Sequence, residues 1–229
     1  MPNILSNKLL EIACFNIESC LLAKEAGADR IELCANYSIG GITPNHHDIL
    51  KAKQLLHIPL HVIIRPRGGD FVYSKEEIEI MKNDILFCKQ HHISGIVFGI
   101  LSQNKKIDKH INKELVELAG NMSKTFHRAI DECEDIKEAM NDLVLLGFNR
   151  VLSSGGKSNA LEGIEVLKPL QEEYHKKIII IPGGGIRSRN IVKIAKETRC
   201  IEFHSAAITD NSGLINTNEI KELKEKLNR

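Results

Sequence analysis

The chain has 229 residues, with 31 Lys+Arg against 30 Asp+Glu and a formal net charge of +1, so nothing in its overall charge pulls it toward nucleic acid or an anionic membrane. Hydrophobic residues make up 42% and charged residues 27%, the balance of an ordinary globular domain and not of a disordered chain. Aromatic residues are only 4% with no Trp, which argues against a base-stacking platform.

No apolar run approaches the ~20 residues of a membrane span. The first residues, Met1 to Asn7, lack the basic start and apolar core of a signal peptide. The expectation is a cytoplasmic chain without membrane or nucleic-acid partners. Its six cysteines, Cys14, Cys20, Cys34, Cys88, Cys133 and Cys200, should be reduced thiols in that setting, and a chain this long can bury a core without disulfides.

In chain order, strand-like runs fall at 9–13, 30–34, 60–65, 95–98, 124–127, 150–153, 178–181 and 201–204. Helical patterns lie near 16–27, 44–56, 75–91, 108–119, 135–146, 160–174, 188–197 and 217–227. Thr43-Pro44 reads as a cap followed by proline at the first helical position, and Ser74 with Glu77 fits a capping box. Ile78, Met81, Ile85 and Cys88 share one helical face, which makes Cys88 a core residue, and Cys20 falls with Ile17 and Leu21 on another.

Eight strand–helix units mean a closed (β/α)8 barrel or a doubly wound open sheet. The absence of a GxGxxG after the first strand and a length near the ~250 residues typical of barrels favour the barrel. The expectation is one domain over 1–229, a TIM-type barrel with a C-terminal helix.

Alternation along each strand then assigns the polar residues. With Leu10 and Ile12, Ile31 and Leu33, Leu60, Val62 and Ile64, Phe126, and Ile201 and Phe203 turned toward the helices, the interior receives Glu11, Glu32, Glu202, His61, His127, His204 and Arg65. Barrel interiors are normally filled by Val, Ile and Leu, and isolated buried charges are costly. Such a set is either a self-satisfied ion-pair network or a binding site. His61, Arg65, His127 and His204 lie at or near C-terminal strand ends, where barrel active sites sit. Glu11, Glu32, His61, His127 and His204 are therefore the acid–base candidates.

Arg65 and Arg67, in the run to Phe71, suit a carboxylate or phosphate clamp, while an Arg67–Asp70 pair within a rigid turn is the structural alternative. Gly183, Gly184 and Gly185, after the seventh strand, could bare backbone N–H groups to an anion. Cys14 and Cys34 end adjacent strands, so their thiols could meet at the mouth. Soft thiolates favour Cu(I) or zinc, although two distant cysteines make a poor zinc signature and are often plain small hydrophobes.

Several stretches together resemble the CutC family, named for copper homeostasis: Ile31-Glu-Leu-Cys-Ala-Asn36 with Gly40-Gly41 and Thr43-Pro44, Ile64-Arg-Pro-Arg-Gly-Gly-Asp-Phe71, Thr125-Phe-His-Arg-Ala129, Ala160-Leu-Glu-Gly163 and Pro182-Gly-Gly-Gly-Ile186. The similarity runs in order over about 9–207. It implies a (β/α)8 barrel, a cytoplasmic homo-oligomer (a homodimer or homotetramer), a link to copper, and Cys14 and Cys34 as Cu(I) ligands. The family's last strand usually reads His-x-Ser-Ala-Arg, whereas this chain has Ala206 and Ile208 at the Ser and Arg positions. The resemblance thus implies that part of an anion site is lost. The function expected is cytoplasmic Cu(I) binding and trafficking through the thiols, with an enzyme acting on a small anionic or phosphorylated molecule as the alternative. A third possibility is a scaffold whose polar interior is purely structural.

Overall fold

The computed structural model describes residues 8–210 and 213–228. Its strands are β1 (Leu9–Cys14), β2 (Arg30–Leu33), β3 (Leu60–Ile63), β4 (Gly95–Phe98), β5 (Ser123–Phe126), β6 (Arg150–Ser153), β7 (Ile179–Pro182) and β8 (Glu202–Ser205). Each is followed by a helix: α1 (Ile17–Glu25), α2 (His46–Leu55), α3 (Lys75–Gln90), α4 (Lys109–Ala119), α5 (Ile136–Leu146), α6 (Ile164–Tyr174), α7 (Ile191–Thr198) and α8 (Thr217–Leu227). All strands run parallel in the order β7-β6-β5-β4-β3-β2-β1-β8, and β7 packs beside β8 to leave a nearly closed barrel. No described helix is long and apolar enough to cross a membrane.

Strand alternation divides the apolar residues into two sets. Leu10, Ile12, Ile31, Leu33, Val62, Phe126 and Phe203 join the continuous core between sheet and helices, with Met81, Ile85 and Cys88 of α3 and Cys20 of α1. Ala13, Ile63, Val97, Leu152 and Ile181 are buried but stand outside that core, on the interior face. The Ser74 capping box forms as expected, with Glu77 N–H donating to Ser74 Oγ and Ser74 N–H to the Glu77 carboxylate.

Two sequence expectations shift. Helix α2 is capped by Asn45, not Thr43. Thr43 Oγ1 instead accepts from Arg65 N–H at 2.8 Å. The Arg65 backbone pairs with Thr43 through both its N–H and its carbonyl, and β3 ends at Ile63, short of 65. The Arg65 side chain lines the barrel mouth.

Candidate functional site

The interior polar residues occupy two levels. At the N-terminal level, Arg30 opens β2 and donates to Glu11 (Nε–Oε2, 2.5 Å) and to Glu202 (Nη2–Oε2, 2.7 Å). Arg150, which opens β6, also donates to Glu202 through Nε at 2.9 Å and to Ser123 Oγ through Nη1. Arg30 is 2% exposed, so this is a buried network in which each charge has a counter-charge. Burial alone would raise the Glu11 carboxyl, but Arg30 and His204 outweigh it and hold it well below the usual carboxylate range.

His61 fills the neighbouring space. A Cβ on Gly95 would lie 2.5 Å from its Nε2, so the ring requires glycine at that facing position. Burial pushes the His61 imidazole down to about 3 despite nearby Glu11, whose Oε2 lies 3.7 Å from its Nδ1. His61 is thus a neutral ring beneath the mouth.

At the C-terminal level Glu11 reaches upward. Its Oε1 is 2.7 Å from His204 Nδ1, and His204 Nε2 is 3.6 Å from Glu32 Oε2, forming a Glu11–His204–Glu32 line. Burial disfavours the His204 cation, but the hydrogen bond to Glu11 and the charges of Glu32 and Glu11 win, and its pKa rises above the ordinary imidazole value. For Glu32, burial dominates over the pull of His204 and, with repulsion from Glu11, pushes the carboxyl up to about 7. A carboxyl poised near neutrality beside an imidazole whose charged form is favoured is the pairing that general acid–base chemistry needs.

Glu32 and His204 open onto a mouth cavity of about 320 Å³ that Arg65, Arg128, Arg187 and His127 also line. Arg65 is locked in place by donating to the carbonyls of Ile39, Gly41 and Gly69. Arg128 is aimed by Asp131 (2.8 Å) and by Ser154 Oγ (2.9 Å), and Asp131 also accepts from Ser153 Oγ at 2.6 Å. Arg187 donates to the carbonyls of Ile186 and Ile208 and to Ser205 Oγ. Position 208 therefore brings no side-chain cation to the mouth, but its carbonyl anchors one from the preceding loop. Ala206 also lines the cavity, and Ile208 is buried.

The structure separates some of the remaining candidates. Gly184 and Gly185 line the cavity, with φ of +86° and +72° that favour glycine. Gly183 is not among the lining residues, and its N–H donates to Ser153 O. Arg67 faces away from the mouth: it binds Asp70 (2.9 Å), Glu77 (2.6 Å) and Val72 O, strapping its own loop to α3.

Cys14 and Cys34 do not share a space. Cys34 lines the mouth, whereas Cys14 has the parity of Leu10 and Ile12 and packs in the core beneath the helices, where Cys20 also lies. Burial raises both thiols well above their ordinary pKa, with Cys20 adding to Cys14 and Glu32 to Cys34. Glu11, Glu32 and His204 each offer one ligand atom, all within 4.8 Å of one another, and this set could hold a hard cation. The Arg30 guanidinium already seated on Glu11 opposes that use.

Sequence reasoning did not single out Arg30, Arg128, Asp131, Arg150 or Arg187. The first and fourth share the parity of interior neighbours at the start of strands, so alternation alone could have found them. Arg128, Asp131 and Arg187 lie in loops, where no periodicity operates.

Comparison with known proteins gives a consistent result. The model of the CutC family matches residues 8–209. A CutC family protein from Bacteroides fragilis is 44% identical over 217 residues, covering 94% of this chain and 86% of its own. The human copper homeostasis protein cutC homolog is 44% identical over 207 residues, 90% of this chain and 76% of its own. A crystal structure of a CutC from Streptococcus agalactiae superposes with a TM-score of 0.84 at 35% identity, over 88% of this chain and 100% of that one. Phosphoribosyl anthranilate isomerase from Thermotoga maritima, at 13% identity and a TM-score of 0.64 over 96% of this chain and 98% of its own, shares the fold alone.

Proposed function

This chain belongs to the CutC family, and we propose that its barrel mouth is the active site of an enzyme that acts on a small anionic molecule by general acid–base catalysis. The observation that carries this reading is the Glu11–His204–Glu32 line opening on a cavity rimmed by three arginines. Arg30 keeps Glu11 anionic, and Glu11 fixes the His204 ring through Nδ1, so Nε2 faces Glu32 and the cavity. Glu32 takes a proton from the substrate, and the His204 cation returns one through Nε2. Arg128 and Arg187, with the bare backbone at Gly184 and Gly185, hold the substrate's anionic group.

A screen of small phosphorylated and carboxylated metabolites by thermal unfolding tests this. A ligand at 100 times its Kd adds about 2.7 kcal/mol of stability, or roughly 5–11 °C for a chain of this size. The shift should vanish in Arg187→Ala, and turnover should vanish in His204→Gln. If no anionic compound shifts wild type or turns over, the enzyme reading fails.

A second reading is favoured by one observation: Cys34 is a thiol on the cavity wall. The human and mouse relatives carry the name copper homeostasis protein. On this reading the chain binds and passes on Cu(I) in the cytoplasm, as a homodimer or homotetramer. Cu(I) prefers soft thiolates, so Cys34 would be the entry ligand, and recruiting Cys14 would require the end of β1 to turn its side chain. A competitive anaerobic Cu(I) titration of wild type, Cys34→Ser and Cys14→Ser, with mass by light scattering, tests both parts. One tight equivalent lost in both variants supports a two-thiol site. Binding unchanged by Cys34→Ser removes the copper reading from the mouth.

A further inference from the structure

The side of the cavity formed by His127 and Arg65 has hydrogen-bond donors that the fold does not use. His127 is 5% exposed and Arg65 6%. His127 Nδ1 accepts from Ala129 N–H at 3.3 Å, capping the short turn Arg128–Glu132. Burial, helped by the Arg65 charge, pushes this imidazole down to about 3, so the ring is neutral. A neutral imidazole that accepts at Nδ1 carries its single proton on Nε2. That Nε2 has no hydrogen-bond partner.

Arg65 repeats the pattern. Its five N–H donors make three bonds to loop carbonyls, through both hydrogens of Nη1 and one of Nη2, and Nε is buried without a partner. Phe71 ties the two groups together: its ring lies 4.9 Å under the Arg65 guanidinium and 4.6 Å from the His127 ring. Tyr73, whose hydroxyl lies near the Arg65 guanidinium without a well-formed hydrogen bond, lines the adjoining groove instead of the mouth.

Buried donors left without acceptors are costly, and these two belong to residues that line one cavity, where an acceptor from outside the chain can satisfy them. We propose that His127 and Arg65 form an oxyanion subsite that binds a carbonyl oxygen of the substrate, so the substrate class is a small carbonyl compound that also bears an anionic group. This rests on the acid–base reading given above. The reaction it fits is removal of a proton next to that carbonyl. The C–H bond breaks, the proton passes to the Glu32 carboxylate, and the electron pair comes to rest on the carbonyl oxygen, where the two N–H groups meet the charge. Return of a proton to carbon completes an isomerisation or epimerisation without any outside reactant. A neutral histidine suits this task because it polarises the oxygen without handing over a full positive charge.

The test uses full-length protein labelled with ¹⁵N-histidine and 2-phosphoglycolate, whose carboxylate mimics the enolate and whose phosphate suits Arg128 and Arg187. His127 should show the Nε2–H tautomer through the neutral range, and its resonance should move on adding 2-phosphoglycolate but not inorganic phosphate. His127→Phe should weaken 2-phosphoglycolate about tenfold or more while leaving inorganic phosphate binding unchanged. A proton on Nδ1, an unmoved Nε2–H, equal affinity in His127→Phe, or no binding of 2-phosphoglycolate at all would each overturn the subsite. If 2-phosphoglycolate binds through His127 but no carbonyl compound exchanges its proton with solvent, the subsite stands and the acid–base reading falls.

Discussion

The two levels of the barrel interior hold similar residue types and treat them in opposite ways. At the N-terminal level, Glu11, Arg30, Glu202 and Arg150 saturate one another. At the mouth, Glu32 lies 3.6 Å from its nearest cationic partner, while His127 Nε2 and Arg65 Nε have none. A closed network fixes the barrel and carries Glu11 in an ionised state to the next level. An open one keeps charge available, at a cost in stability, for something that enters. On the proposed reading the lower level is structural support and the upper level is the working site.

The sharpest way to break this contrast is Arg30→Met. It removes the guanidinium that Glu11 and Glu202 share, leaving Glu11 with His204 and Glu202 with Arg150 alone, a loss of about 3 kcal/mol or more, or roughly 6 °C or more in Tm. Equal stability of variant and wild type would mean the network does not support the barrel.

Glu32→Gln should act in the other direction and only at higher pH. The folded carboxyl titrates near 7 against an ordinary 4.5. Between those values the folded protein keeps a proton that the unfolded chain has released, so stability falls as pH rises through that window. His204 adds to the trend, because its raised pKa contributes stability that is lost as pH rises through the folded value. Removing the Glu32 carboxyl should narrow the stability difference between pH 5 and pH 8 by about 3 kcal/mol, measured by urea unfolding at both. A variant with the same pH dependence as wild type would show that Glu32 is not poised.

The smallest effect belongs to Arg67→Ala. Its pairs with Asp70 and Glu77 are at the surface, so the loss should stay under about 1 kcal/mol. Ligand binding at the mouth should not change. A large loss of affinity would place Arg67 in the site after all.

Much of the site was legible because barrel strands alternate strictly. That rule put Glu11, Glu32, His61, Glu202 and His204 on the interior face, and it would have put Arg30 and Arg150 there too. The same rule already set Cys14 with Leu10 and Ile12, so its approach to Cys34 at the mouth went against its parity. Beyond the strand ends the rule stops. Arg67 and Arg65 are two positions apart in one loop, yet one straps α3 and the other lines the mouth.

Sequence by itself determined the barrel, its parity and the family, since each follows from local periodicity or from short motifs in order. Only the tertiary structure decided which charges neutralise each other and which stay open. Pairings such as Arg30–Glu202 and Glu11–His204 span 172 and 193 residues, and no local pattern carries information across such separations. The tautomer inferred for His127 likewise depends on the tertiary structure, through a single backbone N–H at Ala129 that meets the opposite nitrogen.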